Sequence, residues 1–472
     1  MRKAFIGFLF LIIAVFSTTA FAADPESSAP DTNATKQAVK QPVLEAPTLT
    51  WGWQERMRTE DWNNILDYNN ATDDERRQMR YRTRLWANFD SAPVQFAVGL
   101  VDEIDKKYAL NTTEVTEYRL NTDEIIFETL FLKLKKLGAS GLSLTVGRQD
   151  IQRGEGFLLF DGTSGDGSRT SYFNAVNLAY ERNKNKFELI GILDPRRDRF
   201  LGIIHDQHKI LNEWDEQAIA LYNSNRQLKN TDIDTYYFYK KEVNDYRAPT
   251  AVQFQPDRHI STLGARAVHR FPQGFSLTGE FAGQWGAQHA NPAKGTSAMD
   301  IRAWGGFAYV KKSFVSSWKP YVQIGYWALS GDNPNNSTTL NGFDPLFSRW
   351  PKWSELYLYS LVPERGVAYW TNNKILQLEA GANPTKALAL RATFYNENAF
   401  HPYTKNPAVF GTGTHRGENY QVRADYIFNQ RWKCHALYEN FSPGDFYLHN
   451  GDSFFVQAQV IYTFTHTLFQ LK

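Results

Sequence analysis

The stretch Gln78–Asp90, QMRYRTRLWANFD, sets Met79, Tyr81, Thr83, Leu85, Ala87 and Phe89 on one parity and Arg80, Arg82, Arg84 and Asn88 on the other. Side chains of a strand alternate between its two faces, so three arginines stand in a row behind a mostly apolar stripe. A soluble sandwich would bury the stripe and show the arginines to water. A membrane barrel shows the stripe to lipid and the arginines to a wet lumen. The sequence on either side decides between the two.

At the N-terminus, Arg2 and Lys3 precede an apolar run from Ala4 to Phe16, then Ser17-Thr18-Thr19 and the small-residue site Ala20-Phe21-Ala22. This pattern predicts a secretory signal peptide, residues 1–22, cut before Ala23. The run is too short for a spanning helix of about 20 residues, and no later charge-free stretch reaches that length, which excludes a helical membrane protein. Without Arg2 and Lys3 the 52 Lys and Arg fall to 50 against 50 Asp and Glu, so attraction for a charged partner has to come from local arrangement. The lone cysteine, Cys434, excludes a disulfide scaffold. The 24 Tyr, 33 Phe and 13 Trp suit a barrel whose aromatic girdles flank an apolar band while lumen and loops stay polar.

Residues 23–47, rich in Pro, Ala, Ser, Thr and Gln, read as a flexible tail. From Thr48 to Lys472 strand-like segments follow one another without a break in composition. In Gly274–Gly286, Phe275, Leu277, Phe281 and Trp285 oppose Ser276, Thr278, Glu280 and Gln284. In Glu418–Phe428, Tyr420, Val422, Ala424, Tyr426 and Phe428 oppose Gln421, Arg423 and Asp425. A two-residue turn at Asn429-Gln430 then leads to Trp432, Cys434, Ala436 and Tyr438 opposite Lys433, His435 and Glu439, an antiparallel hairpin. The last strand sets Phe454, Val456, Ala458, Val460, Tyr462 and Phe464 against Gln457, Gln459, Thr463 and Thr465. The fold class is therefore all-β: a transmembrane antiparallel β-barrel of about 16–18 strands, wide enough for an aqueous channel. Asp194–Asp215, Lys240–Asp257 and Gly331–Arg365 are its long polar connections.

Three stretches resemble the alginate-export outer-membrane porin family. They are Val146–Tyr180, VGRQDIQRGEGFLLFDGTSGDGSRTSYFNAVNLAY; the strand TLGAR at Thr262–Arg266 with Glu280 and Gln284 after it; and Ser330-Gly331-Asp332 followed by Phe343-Asp344-Pro345-Leu346-Phe347. The resemblance implies a large monomeric barrel with an arginine-rich constriction that passes a polyuronate out of the periplasm of a Gram-negative cell. It points to Arg80, Arg82, Arg84, Arg148, Arg266, Arg302, Arg391 and Arg423 as lumen residues. Arg148 shares parity with Leu142, Leu144 and Val146, so it turns inward only if Gly147 sits in a bulge or the strand has left the membrane.

A polyuronate carries about one carboxylate per sugar, and a ladder of planar, always-charged guanidinium groups suits it. Glu280, Asp425 and Glu439, interleaved with basic groups such as Lys433, would keep each contact weak enough for release. Charges that only pair with one another and brace the barrel are the plain alternative. Asp161–Gly167 has a calcium-loop flavour, but Tyr172 stands where a bidentate Glu is needed. His205 and His208 lack the further ligands of a zinc site. No phosphate-cradling loop or serine-histidine spacing emerges, so neither enzyme nor cofactor is expected. Expected partners are outer-membrane lipid, an anionic polysaccharide or other anionic solute, and the barrel-assembly machinery, with no nucleic acid. A diffusion porin importing small anions or sugars is the second reading. A non-conducting barrel serving as hydrolase or adhesion platform is the third.

Overall fold

The computed structural model describes residues 46–470, except 66, 73, 109–119, 123–124, 139–140, 161–172, 198–200, 202–213, 244–255, 291–296, 337, 349–352, 357–363 and 365–369. The predicted signal peptide, nearly all of the tail, the Asp161–Gly167 segment, His205 and His208 lie outside the described residues.

The strands in chain order are β1 (Thr48–Asn63), β2 (Arg76–Asp90), β3 (Val94–Tyr108), β4 (Leu120–Thr122), β5 (Ile126–Leu134), β6 (Leu142–Gln149), β7 (Phe173–Arg182), β8 (Asn185–Asp194), β9 (Asp215–Asn225) and β10 (Thr231–Val243). They continue as β11 (Arg258–Arg270), β12 (Phe275–Gln288), β13 (Met299–Ser313), β14 (Tyr321–Leu329), β15 (Thr339–Leu340), β16 (Asn373–Ala382), β17 (Leu388–Asn398), β18 (His415–Ile427), β19 (Trp432–Pro443) and β20 (Ser453–Gln470). Short β4 pairs with β3, and two-residue β15 runs parallel to β13. The other eighteen form one closed antiparallel barrel, each bonded to the strands before and after it, with β3 passing to β5 and β14 to β16. Closure comes from β1 against β20, Thr48 opposite Gln470 and Asn63 opposite Phe454, with a register shift at Leu49/Thr50. Such closure satisfies every ladder hydrogen bond where lipid offers none.

Parity follows the sequence pattern in the strands that define it. Leu85, Phe281, Trp285, Val422 and Val460 are exposed on the outer face, while Arg80, Arg82, Glu280, Gln284, Gln457 and Gln459 are buried inside. Short turns gather at one end with Thr48 and Gln470, and long loops at the other. The turn end is the periplasmic one by the usual rule for outer-membrane barrels. Between β7 and β8 the turn is Asn183-Lys184, both with positive φ (51° and 61°), the geometry that matches strand twist in a two-residue hairpin. The expected two-residue turn after β18 is longer, spanning 428–431, because Asn429 Oδ1 accepts the N–H groups of Arg431 and Trp432 and absorbs the extra residues.

Two loops turn back into the barrel. Residues 150–160 follow β6, and residues 341–348 and 353–356 lie between β15 and β16. Phe157 stacks on Phe343 at 5.3 Å and meets Phe307 edge-on at 5.5 Å; Leu159 bridges to Phe347. Trp353 stands edge-on to both Trp327, at 5.1 Å, and Trp370, at 4.3 Å. The lumen therefore contains an apolar core of its own, and Ile301, Phe307 and Trp327 point inward to meet it.

Leu263 faces lipid near the middle of β11. Leu263→Arg should cost about 2–4 kcal/mol, the penalty for a cation at bilayer mid-depth. Reversible urea unfolding in phospholipid vesicles measures it; an unchanged midpoint would place β11 outside the hydrocarbon.

Candidate functional site

β1 and β2 pair in a register that sets Arg58 opposite Arg80 and Arg56 opposite Arg82. All four point inward, at 3%, 9%, 1% and 4% exposure respectively. Like charges directly opposite each other in a ladder repel, so this grouping has to be held by something else. Glu103 of β3 accepts from Arg56 Nη2 at 3.0 Å and from Arg80 Nε at 2.7 Å. Glu60 stands 3.3 Å from Arg58 and 3.5 Å from Arg80. Arg58 also gives Nε and Nη2 to Gln459 Oε1, at 2.8 and 2.6 Å, and Arg82 gives Nη2 to Gln54 Oε1 at 3.2 Å. Arg84 reaches Glu128 of β5 at 2.7 Å. A bulge at Gly99/Leu100 of the β3–β5 ladder sets Glu128 out of register and aims it at Arg84. Among the described side chains of this group guanidinium groups outnumber carboxylates.

The facing wall is ion-paired. Lys240 contacts Glu216 at 3.0 Å and Glu242 at 2.8 Å; Arg258 bonds Glu242 and, at 2.6 Å, Asp344. Arg266 lies within 3.2 Å of Glu155, 3.4 Å of Asp234 and 3.9 Å of Glu280, which also accepts Tyr236 Oη at 2.8 Å. Arg153 of the inturned loop pairs with Glu188 at 2.6 Å. Among the described side chains named here acids outnumber bases, so the lining is basic along β1–β2 and acidic across from it.

Towards the turn end the lumen is wetter. Arg391 and Lys433 are exposed on the inward parity of β17 and β19, and Arg391 stands opposite Arg423. Arg423 donates Nε and Nη2 to the two oxygens of Asp425, at 2.8 and 2.7 Å.

Two candidates sit elsewhere. Arg302 points outward, opposite Trp285, with its side chain 75% exposed and 3.6 Å from Asp300. The inward face of β13 is apolar because the inturned loops pack on it, which sends the polar parity outside at the loop-end rim. Of the two ways for Arg148 to turn inward, the bulge is absent, since the β5–β6 and β6–β7 ladders pass Gly147 without a shift. Gly147 takes φ of 125° instead, and the buried Arg148 gives Nε to Asn174 Oδ1 at 2.9 Å and Nη1 to the Phe127 carbonyl at 2.8 Å, bracing the wall. Sequence reasoning missed Arg56 and Arg58, whose alternation with Met57 was the available signal. Glu103 and Glu128 became visible only through strand pairing.

The inturned residues between β15 and β16 are pinned on two sides. Gln284 and Asp344 exchange bonds, Nε2 to the Asp344 carbonyl at 2.7 Å and the Asp344 N–H to Oε1 at 2.9 Å, while Lys240 Nζ gives to the Leu346 carbonyl at 2.9 Å. On β19, Glu439 accepts Ser354 Oγ at 2.7 Å and the N–H groups of Glu355 and Leu356 at 3.0 and 3.2 Å. Further along the same connection Arg416 Nη2 reaches both oxygens of Glu364, at 3.0 and 2.9 Å. Burial, then the nearby Glu439, pushes the Glu355 carboxyl up to about 8. Among the described residues no three His, Cys, Asp or Glu side chains gather as a metal site.

Residues 48–460 match the alginate export family. Solved structures similar to the chain include Acinetobacter baumannii OccAB4, at TM-score 0.56 and 12% identity over 90% of this chain and 100% of that one. Pseudomonas aeruginosa OccK7 (OpdD) follows at 0.53 and 11%, over 90% and 99%. P. aeruginosa OpdK with vanillate follows at 0.51 and 11%, over 89% and 99%. At such identities they establish the shared fold. Among curated proteins none matches.

Glu103→Gln strips the acid shared by Arg56 and Arg80, and breaking a buried pair of this kind costs about 3–5 kcal/mol. Lower resistance to urea in vesicles, with the barrel still assembled at neutral pH, is the expected result; an unchanged midpoint would mean that the arginines need no counter-charge.

Proposed function

Because this chain belongs to the alginate export family of Gram-negative outer-membrane channels, we propose that it passes an anionic carbohydrate, most simply an alginate-like polyuronate, from periplasm to exterior. The observation that carries this reading is the pair of arginines set directly against a second pair across β1 and β2. Stability alone disfavours that register, and a basic lining held in place by shared acids suits the passage of an anion.

The route follows from depth. A chain of uronates arriving at the turn end meets Arg84, Arg391, Arg423 and Lys433 first, where water reaches the side chains. Each guanidinium offers a fork of donors to a carboxylate. Asp425 competes for Arg423 at 2.7 Å, and Glu128 for Arg84 at the same distance, so each uronate exchanges with a resident acid and is released rather than trapped. The arginine rows of β1 and β2 come next, towards the loop end. In this reading the protein acts as a monomer, inserted by the barrel-assembly machinery.

Uptake of small carboxylates is the second reading. It is favoured by the burial of the β1–β2 rows, which leaves no room for a polymer while residues 353–356 stay in place.

Planar-bilayer recordings under a KCl gradient test the proposal on Arg84, Arg391 and Arg423 changed together to Gln. The wild type should prefer anions and be blocked by polyuronate added on the turn side, and the variant should lose most of that preference. A cation-selective wild type would reject the reading. Block by small carboxylates with no response to polyuronate would select the second.

A further inference from the structure

We propose that loop residues 353–356 form a proton-sensitive plug, which seals the arginine rows while docked on Glu439 and opens the pathway when it withdraws. The inference rests on reading the lumen as an anion pathway and adds its control.

The dock is a built site. The Glu439 carboxylate takes the Ser354 hydroxyl, two successive backbone N–H groups and Gln421 Nε2, the last at 3.1 Å, a set of donors converging on one acceptor. Asn419 Nδ2 steadies Ser354 Oγ at 2.9 Å, and Gln421 Nε2 also reaches the Trp353 carbonyl. Trp353 and Leu356 are buried on either side, Trp353 between the indoles of Trp327 and Trp370. With the plug in place, the four facing arginines of β1 and β2 are at most 9% exposed, so solute cannot reach them.

Docking also brings Glu355 beside the acid that holds its own backbone. Around its carboxyl stand Glu439 of β19, Glu60 and Arg58 of β1 and Arg80 of β2. Burial and the two acids outweigh the two arginines. The carboxyl therefore rises from its ordinary 4.5 to about 8 in the docked loop. A docked plug thus holds a proton that a withdrawn one has released between those values. Docking is at full strength in acid, weakens as pH rises through that window by up to about tenfold per pH unit, and changes no further above it.

Single-channel recordings of the full-length protein between about pH 6 and about pH 9 test this. Open probability should rise with pH in the wild type. Glu355→Gln should stay mostly closed across the range, and Glu439→Ala should be open throughout. Because Glu439→Ala can impair assembly, a second variant carries Ser354→Cys and Asn419→Cys with Cys434→Ser. It should be locked shut when oxidised at every pH and conduct again in reductant. A pH-independent wild type, an opening that follows falling pH, or full conductance of the oxidised variant would overturn the proposal. Reversal potential in the same recordings reports anion preference separately: gating without anion preference removes the functional reading alone, and anion preference without gating removes the plug alone.

Discussion

A backbone amide in hydrocarbon has no water to turn to, and from that one shortage most of this molecule follows. Each strand must find a ladder on both edges, which closes the sheet, and closure assigns every residue of a strand to lipid or lumen with no third choice. An arginine at even parity in β2 can only point inward. The chain then has to solve, inside the barrel, the electrostatic problem that this placement creates.

It solves it by sharing. Glu103 serves Arg56 and Arg80, and Glu60 serves Arg58 and Arg80, so two acids hold the repelling guanidinium groups at contact distance. Interspersing one acid per arginine would be more stable and would leave no net attraction for an anion. The facing wall takes that course, with Lys240, Arg258 and Arg266 each meeting two or three carboxylates. The contrast between the walls separates bracing from a surface kept basic.

The barrel was legible in the sequence because lipid enforces a strict outer pattern: Leu85, Phe281 and Val422 alternate with polar residues and face out, and the alternation of β2, β12 and β20 carries over directly. The inner face was less legible, since the rule that inward means polar assumes a wet lumen. Where residues 150–160, 341–348 and 353–356 fold in, inward residues such as Ile301, Phe307 and Trp327 are apolar, and Arg302, on the strand of Ile301 and Phe307, is displaced outward. Strand pattern also says nothing about a bulge beside Glu128 in place of one at Gly147. Nor can it show that the Phe343–Phe347 motif, distant in sequence, completes a core inside the barrel with Phe157 and Leu159.

The seam between β1 and β20 joins Thr48 to Gln470, almost the whole length of the sequence. Contacts between such distant positions form late and slowly, because the chain between them must first be ordered. Until the final strand has been synthesised and delivered, β1 has an open edge, and the apolar faces of the earlier strands have neither lipid nor partner to cover them. The working barrel is therefore only half of what the sequence has to provide for. The rest is the interval before closure, when the exposed edges of an unfinished sheet invite aggregation.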